Sequence, residues 1–270
     1  MPPDALLTLT GVSKSFGGLK VVDDVGFTVP HGGRLGLIGP NGAGKTTVFN
    51  LISGVYPIDA GDIRLDGRPI AGLPPRGRVL AGLARSFQNI RLMPHLSVVE
   101  NVMLGQHARA AGLGALLTPI GWMPRGRWQR EAEALLAEAG LDIDPGEVVA
   151  NLPYGIRKKI EVVRALASRP KVLLLDEPAA GLNPGETAEL ARFLRRIAGT
   201  GTALLVVEHD MAFVNEVCDR VVVLNFGRRI FEGTMAAARA DALVREAYLG
   251  AEDDVAGRGR PGHDAAADAA

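Results

Sequence analysis

Apolar and polar positions alternate along residues 6–12 and again along residues 20–29, with Gly17-Gly18 between the two runs. A period of two around a glycine pair predicts two half-buried antiparallel strands. His31-Gly32-Gly33 turns the chain, residues 34–38 read as a short buried strand, and a glycine-rich loop then leads into a helix over 47–53 that Gly54 stops. Residues 62–66 form a further strand closed by Gly67, residues 74–81 are helical with proline in the first turn, and residues 83–87 return as a strand.

Ser97 caps the next helix, with Glu100 reaching back to it. Trp128, Ala132, Leu135, Leu136 and Ala139 share one face of another, which Gly140 ends. A helix over 155–168 runs up to Pro170. Residues 172–175 and 203–207 are then almost wholly apolar, the mark of parallel strands covered on both faces. Asn183-Pro184 with Glu186 opens a helix between them, and Asp210 caps one over 211–217. Residues 221–224 are the next strand, and Phe226-Gly227 turns a hairpin into 229–232.

The pattern predicts an α/β fold: an antiparallel β subdomain at the N-terminus, a phosphate-loop core over residues 1–87 and 167–250, and an inserted helical subdomain over 88–166. Residues 251–270 are mostly Ala, Gly, Asp and Arg and are expected to be a disordered tail, because they carry too little apolar surface to offset ordering.

Composition narrows the functions open to such a chain. Lys plus Arg equal Asp plus Glu at 30 each, so no overall field draws the molecule to nucleic acid, and none is expected as a partner. A lone cysteine, Cys218, excludes an internal disulfide and reads as a small buried apolar residue. The start lacks a basic segment followed by an apolar one, and the uncharged run between Arg109 and Arg125 is broken by Pro119 and glycines, so neither secretion nor a membrane span is expected. The five histidines are scattered, without metal-ligand spacing.

The chemistry lies at the ends of buried strands. Gly39-Pro40-Asn41-Gly42-Ala43-Gly44-Lys45-Thr46, with Thr47 behind it, fits the phosphate-loop pattern and sits between a buried strand and a helix. Main-chain N–H groups would converge on phosphate oxygens, Lys45 would reach the β and γ phosphates, and the Thr46 hydroxyl would face Mg²⁺. Asp176 and Glu177 follow an apolar strand where packing asks for no charge, so something cationic is expected beside them. Asp176 is assigned to Mg²⁺ and Glu177 to the attacking water. His209 follows another buried strand and belongs to the same rim, although a lone histidine also fits a structural role. Gln88 closes a strand, where it could touch both metal and water or be an ordinary polar strand end.

With these motifs in this order, the chain resembles the ATP-binding cassette (ABC) family from Leu6 to about Gly250. Where the family carries Leu-Ser-Gly-Gly-Gln, this chain has Leu152-Pro153-Tyr154-Gly155-Ile156, retaining the leucine and one glycine. Ala84-Arg85-Ser86-Phe87-Gln88-Asn89-Ile90-Arg91-Leu92, Tyr154-Gly155, Asp176-Glu177-Pro178-Ala179-Ala180-Gly181-Leu182-Asn183-Pro184, Val207-Glu208-His209-Asp210-Met211 and Ala247-Tyr248-Leu249-Gly250 are similar to the ATPase subunits of branched-chain amino acid importers.

The resemblance implies an ATP-hydrolysing subunit at the cytoplasmic face of the inner membrane. It would pair head to tail with a second ABC ATPase, identical or similar, on transmembrane permease subunits fed by a solute-binding protein. Leu152, Tyr154 and Gly155 would then meet the nucleotide of the partner ATPase, while Pro153 removes a hydroxyl and an N–H that the family places there. Phe16 falls where the family stacks an aromatic on adenine, and a core phenylalanine fits equally well. Arg157-Lys158-Lys159 reads as a solvated basic face. A urea or amide importer, a lipid exporter and a soluble ABC ATPase remain alternatives, since the ATPase does not touch the cargo.

Overall fold

The computed structural model describes residues 4–86, 90–107, 109 and 125–248. Gln88, the predicted tail and most of the uncharged run before Arg125 lie outside the described residues. The first two strands, β1 (Ala5–Phe16) and β2 (Leu19–Pro30), pair antiparallel, and the turn between them uses left-handed backbone at Gly17 and Gly18. β4 (Ala60–Leu65) joins the free edge of β1, and the two-residue β5 (Arg68–Pro69) completes a four-stranded antiparallel sheet.

The second sheet has six strands, in the order β10 (Arg228–Gly233), β9 (Arg220–Asn225), β3 (Arg34–Ile38), β8 (Ala203–Val207), β7 (Val172–Asp176) and β6 (Leu83–Arg85). All pairs are parallel except β10 against β9, so five strands deliver their carboxyl ends to one edge. In such sheets that edge is the ligand crevice.

Alternate residues of the parallel strands serve different cores. Val172, Leu174, Leu205 and Val207 pack with helix α1 (Lys45–Ser53) and the antiparallel sheet. Leu173, Leu175, Leu204 and Val206 pack on the opposite side. There they meet α3 (Val98–Gln106), α4 (Arg125–Glu138), α5 (Tyr154–Leu166) and α6 (Pro184–Ala198). Each such fully buried Leu or Val contributes about 1.5–3 kcal/mol relative to an exposed one, which explains why these strands tolerate no polar alternation. α7 (Met211–Val217) and α8 (Met235–Ala240) enclose a third apolar cluster around Val221 and Val223.

The expected caps form. The Ser97 and Asn183 side chains accept from the N–H groups of Glu100 and Glu186, each of which returns a bond to its cap, and Asp210 accepts from Ala212 and Phe213. β5 and α8 are additions to the sequence reading: a two-residue strand has no period, and an alanine-rich turn shows no amphipathic contrast.

One buried cation secures the phosphate-loop helix. α2 (Pro75–Ala81) carries Arg78, only 1% exposed, whose guanidinium donates to the carbonyls of Leu51, Ile52 (2.8 Å), Ala71 (2.7 Å) and Leu73 (3.0 Å). Leu51 and Ile52 lie in the last turn of α1, whose carbonyls have no partners within the helix. Gly54 leaves room for the guanidinium: its φ is +79°, and a Cβ there would meet Arg78 Nε at 2.7 Å. Among the described residues no helix is long and apolar enough to cross a membrane.

Candidate nucleotide site

β3 ends at Ile38, and the loop 39–44 carries the chain into α1. Gly39 has a φ of +148°, and a Cβ there would collide with the Leu224 carbonyl of the neighbouring strand, so the loop begins with a residue only glycine can fill. Gly44 stands at the N-cap of α1 with a φ of 97° and offers no side-chain cap. The first-turn N–H groups of α1 therefore face the crevice without a capping acceptor, as an anion site requires. Lys45 is buried, and its ammonium donates to the carbonyls of Gly39 (2.6 Å) and Pro40 (2.9 Å), folding back over the loop it serves. Burial holds Lys45 below the usual lysine value, opposed by the negative charge of Glu177.

The neighbouring strands bring the acids to the same edge. Leu37 is level with Val207, and Val207 with Asp176. Asp176 is buried, and Arg85 at the end of β6 donates to its Oδ2 at 2.6 Å, a partner in addition to the metal assigned from sequence. Glu177 follows with a φ of 46°, its N–H donating to Val207 O at 2.9 Å. A non-glycine residue in left-handed backbone is strained, and strain of this kind collects where a side chain must be aimed.

Beyond β8, Glu208 is 1% exposed and accepts from the N–H groups of Ala179 (2.8 Å) and His209 (3.1 Å). It thereby ties the loop after Glu177 to the position of His209. The His209 ring is mostly exposed and stands 3.7 Å from the Glu208 carboxylate. Burial pushes the Glu208 carboxyl above its usual value, against the lowering effect of the backbone donors and His209. A carboxyl that holds its proton more tightly folded than unfolded lends stability below its unfolded pKa, and that contribution is lost as pH rises through the folded one. Urea midpoints across acidic to neutral pH should therefore show wild type losing ground to Glu208→Gln as pH rises, then running parallel.

The remaining site residues divide by location. Phe16 is not a core residue: it is 40% exposed and packs edge-on against Tyr56 at 5.1 Å between centroids, with Lys14 over its face. Asn41, Gly42, Ala43, Thr46 and Thr47 follow the loop into α1. Leu152, Tyr154 and Gly155 lie at the start of α5, and their contacts run elsewhere: Tyr154 donates to Ala180 O at 3.5 Å and lies against Gly181, while Gly155 faces Glu186.

The basic run beside them corrects the sequence reading. Lys158 is 3% exposed, lies 5.7 Å from the Tyr154 ring centroid and is held below its usual value by burial, with Glu161, Glu208 and Glu177 as opposing charges. Lys159 pairs with Glu189 at 2.8 Å. Three consecutive cations read as one solvated patch, but on a helix they point in different directions, and Lys158 turns inward. Sequence alone assigns no role to Arg85, Glu208 or Tyr56, although Arg85 carries a signal akin to that of Asp176, a charge beside apolar strand residues. Cys218 is half-buried, and burial pushes its thiol up to about 12, in keeping with an inert packing role.

Residues 22–180 match the family described as ABC transporter. The chain belongs to the ABC transporter family. Residues 228–254 of this ABC ATPase also match the family described as branched-chain amino acid ATP-binding cassette transporter. The chain is 37% identical to the high-affinity branched-chain amino acid transport ATP-binding protein BraF of Pseudomonas aeruginosa, over 91% of this chain and 98% of that protein. It is 38% identical to LivG of Escherichia coli over the same shares. Among solved structures, the ADP conformation of an ATP-binding cassette superposes with a TM-score of 0.81 at 28% identity, covering 91% of this chain and 99% of the other. A nucleotide-free cassette gives 0.80 at 28% identity, with 90% and 98% covered. The ABC ATPase fold, ATP binding and ATP hydrolysis follow from this membership.

Proposed function

We propose that this ABC ATPase energises the uptake of branched-chain amino acids through membrane permease subunits, from the cytoplasmic face of the membrane. The observation that carries the reading is the near full-length similarity to branched-chain amino acid transport ATP-binding proteins, together with the match of residues 228–254.

In the proposed mechanism the N–H groups of the loop 39–44 and the N-terminus of α1 bind the triphosphate. Lys45 exchanges its two carbonyl partners for phosphate oxygens, and Phe16 with Tyr56 supports the base. The oxygen donors Thr46 and Asp176 suit a hard cation, so they would hold Mg²⁺, which neutralises phosphate charge when bound. Glu177 accepts a hydrogen bond from the attacking water and orients it. His209, seated by the Glu208 carboxylate, completes the γ-phosphate end, and the metal and water role read for Gln88 from sequence would add to it.

In this reading the nucleotide met by Tyr154 and Gly155 belongs to a second ATPase subunit, because within this chain Tyr154 bonds Ala180 O and Gly155 faces Glu186. A groove of about 370 Å³ between the core and the α3–α5 helices is lined by Val79, Ala84, Met93 and Leu104, with Arg85 and Arg164 at its polar side. Its proposed occupant is a cytoplasmic helix of a permease subunit, because the described residues contain no span of their own and a transporter needs one.

Affinity purification of the tagged chain from membranes, followed by reconstitution of the recovered assembly in vesicles, tests this reading. ATP-dependent uptake of labelled leucine, isoleucine or valine is expected once a solute-binding protein is supplied. Recovery of an assembly that moves urea, a short amide or lipid instead would contradict it.

A further inference from the structure

We infer that Arg85 is a positioning residue that holds Asp176 in its metal-facing orientation and joins that carboxylate to the groove beside α3 and α5. The inference rests on Asp176 being the metal-side carboxylate.

Arg85 is the last residue of β6, at the crevice edge of the sheet. Its Nη2 donates to Asp176 Oδ2 at 2.6 Å, while Nη1 donates to Asn50 Oδ1 at 2.7 Å and to Ser53 Oγ at 3.0 Å. Its guanidinium also lies over the Phe49 ring, 5.7 Å from the centroid. Asn50, Ser53 and Phe49 all belong to α1, so one side chain spans the phosphate-loop helix, the strand before Gln88 and the strand carrying Asp176. The side chains of Arg85 and Asp176 are each only 11% exposed, which shields the pair from solvent exchange.

A planar fork bonded at both amino groups fixes a carboxylate in direction as well as in place. With Oδ2 held by Arg85, the other Asp176 oxygen is the one left for the metal. Arg85 also lines the groove between Ala84 and the α3–α5 helices, so a helix seated there touches the residue that holds Asp176. Orientation and charge act in opposite directions here. A guanidinium repels a divalent cation, so a purely electrostatic role predicts tighter metal binding when Arg85 is neutralised; a positioning role predicts weaker binding.

The test uses the full purified chain with ATP, measuring Mn²⁺ affinity by electron paramagnetic resonance and metal-free ATP affinity by calorimetry. Arg85→Met is expected to weaken Mn²⁺ binding roughly tenfold or more, the usual effect of losing a partner behind a metal carboxylate. Metal-free ATP affinity should stay within about twofold of wild type, since Arg85 is not part of the phosphate loop. Arg85→Lys keeps the charge but not the fork, so it should also weaken Mn²⁺ binding, and it decides the matter if Arg85→Met fails to fold. Unchanged or tighter Mn²⁺ binding in a folded variant overturns the inference. Asp176→Asn is the control. If it weakens Mn²⁺ binding and the Arg85 variants do not, only the role of Arg85 fails; if it has no effect, the metal-side reading of Asp176 fails first.

Discussion

Glu177→Gln is expected to lower ATP turnover by the assembled transporter by at least roughly a hundredfold while leaving ATP affinity nearly unchanged. A positioned proton acceptor contributes about 10²–10⁴ in rate, and glutamine keeps the shape but not the basicity. Three features aim Glu177 at this task. Its N–H is anchored to Val207 O, its carbonyl accepts from Ala180 N–H at 3.1 Å, and its φ of 46° takes the chain off the β7 line. A second variant separates aim from chemistry: Glu177→Gly relieves the backbone strain, so it should fold at least as stably as wild type yet hydrolyse no faster than Glu177→Gln. Near-wild-type turnover in Glu177→Gln, read by phosphate release, would remove Glu177 from the reaction.

Arg78→Met should cost about 3 kcal/mol of folding stability, among the largest effects of any change outside the apolar cores. The substitution fills the volume but leaves four carbonyls without the guanidinium that serves them, two of them at the end of α1. Losing the partner of a buried acceptor costs about 1–3 kcal/mol each, partly offset because a buried cation no longer needs desolvation. Arg78→Lys should fall between, since one ammonium cannot reach all four oxygens. Urea denaturation measures both, and a loss below about 1 kcal/mol for Arg78→Met would show that water replaces the guanidinium.

Local signals made most of the architecture legible in the sequence. The buried strands 172–175 and 203–207 are uninterrupted apolar runs, and the loop 39–44 sits between a strand and a helix as its chemistry demands. Ser97, Asn183 and Asp210 announce helices through side chains that bond to nearby backbone, so the signal stays within four residues. Relations across long separations were not legible. Arg85 and Asp176 are 91 residues apart, and their pairing depends on β6 lying beside β7. Lys158 follows the same logic in part: its place in a basic run suggests solvent, and although Glu161 lies three residues along on α5, Glu208 and Glu177 just beyond β8 and β7 meet it only through the fold. Phe16 fits both a core reading from its alternating strand and the base-stacking reading that the family resemblance implies, and its partner Tyr56 lies past the next helix.

Nucleotide binding at the phosphate loop underlies every other assignment, and it is measured most directly by titrating purified protein with Mg-ATP in a calorimeter, wild type beside Lys45→Ala. The lysine side chain gives up two carbonyl bonds of its own and must gain phosphate oxygens in exchange. Saturable binding by wild type, weakened roughly a hundredfold or more in a Lys45→Ala variant with an unchanged melting temperature, is the expected result, since a buried charge-assisted contact of this kind is worth about 3 kcal/mol or more. Equal affinity in the two proteins, or no binding by wild type, would contradict it.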